Sequence, residues 1–107
     1  MTPRQLRRAI QEGRWEATVS ARKLPSPPPE HGAFSRRRMA VAIRCAWLFL
    51  THGYDWHDIV NRVGVISEQF PGGKVTRQRV SQYTDKGTQF LLGRGVFREV
   101  KKKTAAR

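Results

Sequence analysis

Acidic residues are scarce in this chain of 107 residues: 8 Asp and Glu stand against 21 Lys and Arg, leaving a formal net charge of +13. A compact domain with that imbalance repels itself, and a polyanionic partner is the simplest reason for keeping it. So few carboxylates also fail to supply a nuclease-type acid cluster. Cysteine is nearly absent. Cys45 stands alone inside the apolar run 40–50, so no intramolecular disulfide can form, and a buried thiol suits a reducing, cytoplasmic setting. Long hydrophobic runs are missing as well. The run around Cys45 is broken by Arg44 and is shorter than a bilayer-spanning helix, which argues against a membrane partner. The basic opening residues lead into no apolar stretch of signal-peptide length.

Signs of catalysis are equally thin. His52 and His57 are five residues apart across a glycine turn, which is no metal-ligand spacing on one helix. Asp55 and Asp58 fit a capping role, and Cys45 has no general base beside it. Gly72-Gly73-Lys74 lacks the remaining spacing of a phosphate loop. Neither an enzyme nor a cofactor is expected.

What is present divides into zones. Residues 1–20 open on Thr2-Pro3, a helix cap followed by proline in the first turn. Leu6, Ala9 and Ile10 recur at helical spacing, and Gly13 offers an end. Arg4, Arg7, Arg8 and Glu12 occupy the other faces. So short a helix must dock elsewhere to persist, with Trp15 and Val19 as anchors. Residues 21–34 form a linker whose Leu24-Pro25-Ser26-Pro27-Pro28-Pro29 favours an extended polyproline path and reads as a stiff strap.

Residues 35–100 carry the expected core: an all-α, three-helix arrangement over about 35–52, 55–70 and 76–92, with the N-terminal helix added to it. Ser35 caps the first of these. Arg36, Arg37 and Arg38 then fill a first turn where positive charge opposes the helix dipole, a cost that phosphates would relieve. Met39 to Leu50 is apolar on more than one face, so this helix should be central, ending near Gly53. Asp55 and Asp58 form a rough capping box for the second helix, whose stripe of Trp56, Ile59, Val60 and Val63 extends to Ile66 and Phe70 before Pro71-Gly72-Gly73 stops it. Thr76 caps the third. Its inward face reads Val80, Tyr83, Gly87, Phe90 and Leu91, with Gly87 allowing a close neighbour. Val96, Phe97 and Val100 either cover the core or form a short strand. Residues 101–107 make a basic tail.

The outward face of the third helix shows Arg77, Gln78, Ser81, Gln82, Asp85, Lys86 and Gln89, and almost no glutamate. Arginine can grip guanine and glutamine can grip adenine, each through paired hydrogen bonds. Arg77, Gln78, Ser81 and Gln82 lie in the first two turns, where a recognition helix reaches base edges. Phosphate contacts are expected from Arg36, Arg37, Arg38, Lys74, Arg79, Lys86, Lys101, Lys102 and Lys103.

The segment Asp58-Ile59-Val60-Asn61-Arg62-Val63-Gly64 resembles the first helix of the helix-turn-helix that ends bacterial sigma-70-type factors. Val75-Thr76-Arg77-Gln78-Arg79-Val80-Ser81-Gln82-Tyr83, continuing to Leu91, is similar to that family's recognition helix and to those of phage regulators. The resemblance spans about 56–91, with 65–74 longer than the usual tight turn. It implies a sequence-specific, double-stranded-DNA-binding regulator of transcription associated with the nucleoid, with Arg77, Gln78, Ser81 and Gln82 reading bases in the major groove. Two other readings stay open: a sequence-indifferent RNA-binding or genome-packaging protein, and a protein that docks on RNA polymerase. A homodimer would double the readout, although no heptad or self-complementary apolar face requires one.

Overall fold

A computed structural model describes residues 1–27, 30–31, 34–55, 57–59 and 76–100. Helix α1 (Pro3–Gln11) begins at Thr2, whose side-chain oxygen accepts from the Gln5 N–H at 3.2 Å while the Gln5 side chain accepts from the Thr2 N–H at 2.9 Å. Two otherwise unsatisfied donors are thus paired reciprocally, and Pro3 supplies a first-turn φ without needing a donor. The helix ends as the glycine predicts: Gly13 takes φ +75°. Leu6 and Ala9 are fully buried, and Ile10, Trp15 and Val19 pack against the same core.

Helix α2 (Arg36–Thr51) starts directly after Ser35 and is the most buried element. Met39, Val41, Ala42, Ile43, Cys45, Ala46, Trp47, Phe49 and Leu50 all lie inside, as a helix apolar on several faces requires. Gly53 takes φ +71° just beyond it. Asp55 and Asp58 then cap each other's backbone, Asp58 N–H to Asp55 at 2.8 Å and Asp55 N–H to Asp58 at 3.3 Å, and residues 57–59 are helical with Ile59 buried. The expected run of this helix to Phe70, and the turn up to Val75, lie outside the described residues.

Helix α3 (Arg77–Gly93) is capped by Thr76, whose hydroxyl accepts from the Arg79 N–H at 3.1 Å. Val80, Tyr83, Thr84, Gly87, Thr88, Phe90 and Leu91 face the core and pack chiefly on α2. Gly87 sits where the two helices cross. A Cβ there would fall on the Ala42 carbonyl and within 2.9 Å of the Ala46 Cβ, so only glycine permits this approach.

The expectation of an all-α chain needs correction: the protein is mostly helical but contains strands. β1 (Trp15–Ala17) pairs antiparallel with β4 (Phe97–Glu99), in the register Trp15 opposite Glu99 and Ala17 opposite Phe97. The ladder continues through Thr18 N–H to Val96 C=O at 2.7 Å and Val100 N–H to Arg14 C=O at 2.8 Å. Its cause is local at both ends. Gly13 and Gly95, each at positive φ, turn the chain out of α1 and α3, so the two exits run side by side. Of the two alternatives for residues 96–100, both hold, since Val96 and Phe97 are buried and residues 97–99 form a strand.

The linker that carries the prolines opens on a turn. Residues Ala21–Lys23 make a single 3-10 turn, after which Leu24 adopts φ −60°, ψ 140°, the polyproline geometry. Further on, β2 (Glu30–His31) pairs antiparallel with β3 (Phe34–Ser35) immediately before α2.

Candidate nucleic-acid interface

With Val80, Tyr83, Gly87 and Leu91 committed to the core, the helical repeat turns Gln78, Gln82, Asp85 and Gln89 to the opposite side of α3. Arg77, Gln78, Gln82, Asp85, Lys86 and Gln89 are exposed; Ser81 and Arg79, at the margins of that face, are half-buried. Of the four residues expected to read bases, three therefore stand in solvent on the first two turns and Ser81 lies lower, at the flank.

What lies beside that flank was not legible in the sequence. Thr2, Pro3 and Arg4, from the first turn of α1, face Ser81, Gln82 and Asp85 across an open groove of about 460 Å³. Gln89 donates from its side-chain nitrogen to the Met1 carbonyl at 3.1 Å, which holds this segment along the third and fourth turns of α3. Nothing in the spacing of residues 1–4 signals a contact with residues more than seventy positions away.

Helix α1 is fastened in place by Arg7, which the periodicity assigns to its polar side. Arg7 is half-buried: its guanidinium lies 4.6 Å over the Phe49 ring and donates to the Gly53 carbonyl. The aromatic face and a carbonyl just beyond the end of α2 both favour a cation there. Arg8 and Arg14 both engage Glu12, at 3.1 and 2.8 Å, and these hydrogen bonds, that from Arg14 first, hold the Glu12 carboxyl below its ordinary value. Arg98 pairs with Glu16 across the β1–β4 ladder at 2.8 Å. The described ion pairs thus concentrate at the end of α1 and on the small sheet. Arg4, Arg22, Lys23, Arg36, Arg44 and Arg77 are exposed and take part in no ion pair among the described residues.

The remaining expected phosphate contacts are spread differently. Arg36 is exposed and Arg38 half-buried in the first turn of α2, whereas the Arg37 side chain, Lys74, Lys101, Lys102 and Lys103 lie outside what is described. Arg44, two turns beyond Arg36, is a further exposed cation on α2, and its place inside an apolar run hides that exposure in the sequence.

The potentially reactive groups have structural settings. Burial pushes the Cys45 thiol up to about 12, so it stays protonated and unreactive at neutral pH. Asp55 is held below its ordinary value, first by the backbone N–H of Asp58 and further by that of His57. Among the described residues no three His, Cys, Asp or Glu side chains gather as a metal site would require, and no helix is long and apolar enough to cross a membrane. Comparison with protein-family models, curated proteins and solved structures finds no match for this chain.

Proposed function

We propose that this protein binds duplex DNA and regulates transcription by a sequence-specific contact through the N-terminal half of α3. The observation that carries this reading is the exposed face of that helix. Arg77, Gln78 and Gln82 project from a capped, core-anchored helix, in a chain of net charge +13. Their donors and acceptors match base edges in a major groove, which admits a helix of this diameter. Arg36, Arg79 and Lys86 would neutralise phosphates, with Arg37, Arg38, Lys74 and the lysines 101–103 adding to them. On this reading the helix beginning after Asp55 and α3 form the helix-turn-helix that the sigma-type resemblance implies.

Selection from random duplexes, with the retained pool sequenced and binding followed against salt, tests the proposal. An enriched motif together with a steep salt slope is expected. Arg77→Ala should lower affinity for that motif by about 1–3 kcal/mol and relax the preference at one position, leaving non-specific binding nearly unchanged. Equal losses on all sequences would remove Arg77 from base reading.

Arg22, Lys23, Arg36 and Arg44, exposed and in no ion pair among the described residues, favour a second reading, in which charge alone grips any nucleic acid. Steep salt dependence without an enriched motif, or preference for single-stranded RNA, would establish it instead.

A further inference from the structure

We infer that the first turn of α1 belongs to the DNA interface, with Arg4 holding a backbone phosphate of the strand that passes beside α3. The inference rests on the reading of α3 as the DNA-contacting helix and adds to it a residue from the far end of the sequence.

Two of the arginines of α1 are already engaged. Arg7 is spent on the Gly53 carbonyl and the Phe49 ring, and Arg8 on Glu12. Arg4 is exposed and makes no ion pair among the described residues, although Asp85 lines the same groove. Its charge is therefore open to an outside anion.

Dimensions set where the duplex backbone runs. A helix with its side chains is roughly 10–12 Å across and fills a major groove about 12 Å wide. Phosphate ridges must therefore pass close along both sides of an inserted helix. Thr2, Pro3 and Arg4 line the groove that borders α3 at Ser81 and Gln82. A duplex seated on Arg77, Gln78 and Gln82 brings one ridge to that border. The hydrogen bond from Gln89 to the Met1 carbonyl holds the segment on the later turns of the same face that carries Gln78 and Gln82, so Arg4 lies on the side of α3 that the duplex would meet.

The two walls of the groove carry opposite charge. Asp85 repels a phosphate on the α3 wall, and Arg4 attracts one on the α1 wall. The ridge is accordingly seated against α1. Ser81, half-buried at the groove wall, then serves at its edge more than at the base pairs.

The test uses the full-length protein with Arg4→Gln and Arg4→Lys, and binding to the selected duplex is measured over a range of salt concentrations. Because Arg4 is exposed, both variants should keep the wild-type circular dichroism and melting temperature. Arg4→Gln is expected to weaken binding to every duplex by a similar factor and to reduce the salt slope by about one, with the selected motif unchanged. Arg4→Lys should restore the slope, which a purely structural role for Arg4 would not do. An Arg4→Gln protein with wild-type affinity and slope overturns the inference while leaving α3 as the reading helix. A wild-type protein with no salt-dependent duplex binding overturns the reading of α3 and this inference with it.

Discussion

Gly87 and Asp55 set the molecule's tolerances in different ways, one by space and one by charge. Gly87 holds α2 and α3 at a separation that no other residue allows, since an added methyl would meet the Ala42 carbonyl, which is backbone and cannot move aside cheaply. Gly87→Ala is expected to destabilise the fold by about 1–3 kcal/mol through overpacking, even though alanine has the better helix propensity. Chemical denaturation would show it as a lower midpoint at unchanged slope. The sequence gives this away only in part: glycine on an inward face suggests a close approach, but the partner, Ala42 and Ala46, emerges only with the fold. Asp55 acts by charge. Its carboxylate is stabilised by the Asp58 and His57 N–H groups, which lowers its folded pKa beneath the ordinary 3.8. A carboxyl lowered on folding contributes stability that is present above its unfolded pKa and is lost as pH falls through the folded one. Asp55→Asn keeps a capping oxygen without the titration, so below about pH 4 its stability should fall less steeply than that of the wild type. Equal slopes in that window would deny Asp55 its role.

At the level of elements, helices were easier to anticipate than strands, for reasons that can be named. Thr2, Gly13, Asp55, Asp58 and Thr76 act on backbone groups within three or four residues, so their effect is written locally, and each does what its type and position suggest. Strands β1 and β4 have three residues each and are joined across about eighty positions; three residues show too little alternation to read. The same distance hid the placement of Thr2–Arg4 beside Ser81 and Gln82, while the outward set on α3 itself followed directly from its inward face. Among the local signals, the Thr76 cap matters most for the proposed contact. Its hydroxyl holds the Arg79 N–H and fixes the first turn, the one carrying Arg77 and Gln78. Thr76→Ala is expected to cost about 1 kcal/mol in stability. It should also weaken binding to the selected duplex, whereas Thr76→Asp should retain the stability. A Thr76→Ala variant with an unchanged denaturation midpoint would show that tertiary packing alone fixes this end of α3.

Across the whole molecule, the balance between self-repulsion and packing decides how the protein responds to ions. A net charge of +13 on a chain of 107 residues means that folding brings like charges closer together. The described ion pairs relieve this only locally, at Glu12 and Glu16 on the α1 exit and the β1–β4 ladder. All three are largely exposed, and such pairs contribute at most about 1 kcal/mol each. Two effects of salt then oppose one another: screening weakens the pairs and weakens the repulsion. The repulsion acts among many basic side chains at long range, and a Debye length of about 8–10 Å at 0.1–0.15 M suppresses such separated interactions more fully than contacts near 3 Å. Added salt should therefore raise the melting temperature of the isolated protein, with most of the rise complete by about 0.2 M. Short duplex DNA at low salt should raise it further, because it neutralises the same charges by binding to the native state. Thermal melts across a sodium chloride series, with and without duplex, would measure both. A melting temperature that fell with salt would mean that ion pairing outweighs the repulsion, and the positive charge would then need no polyanion to account for its tolerance.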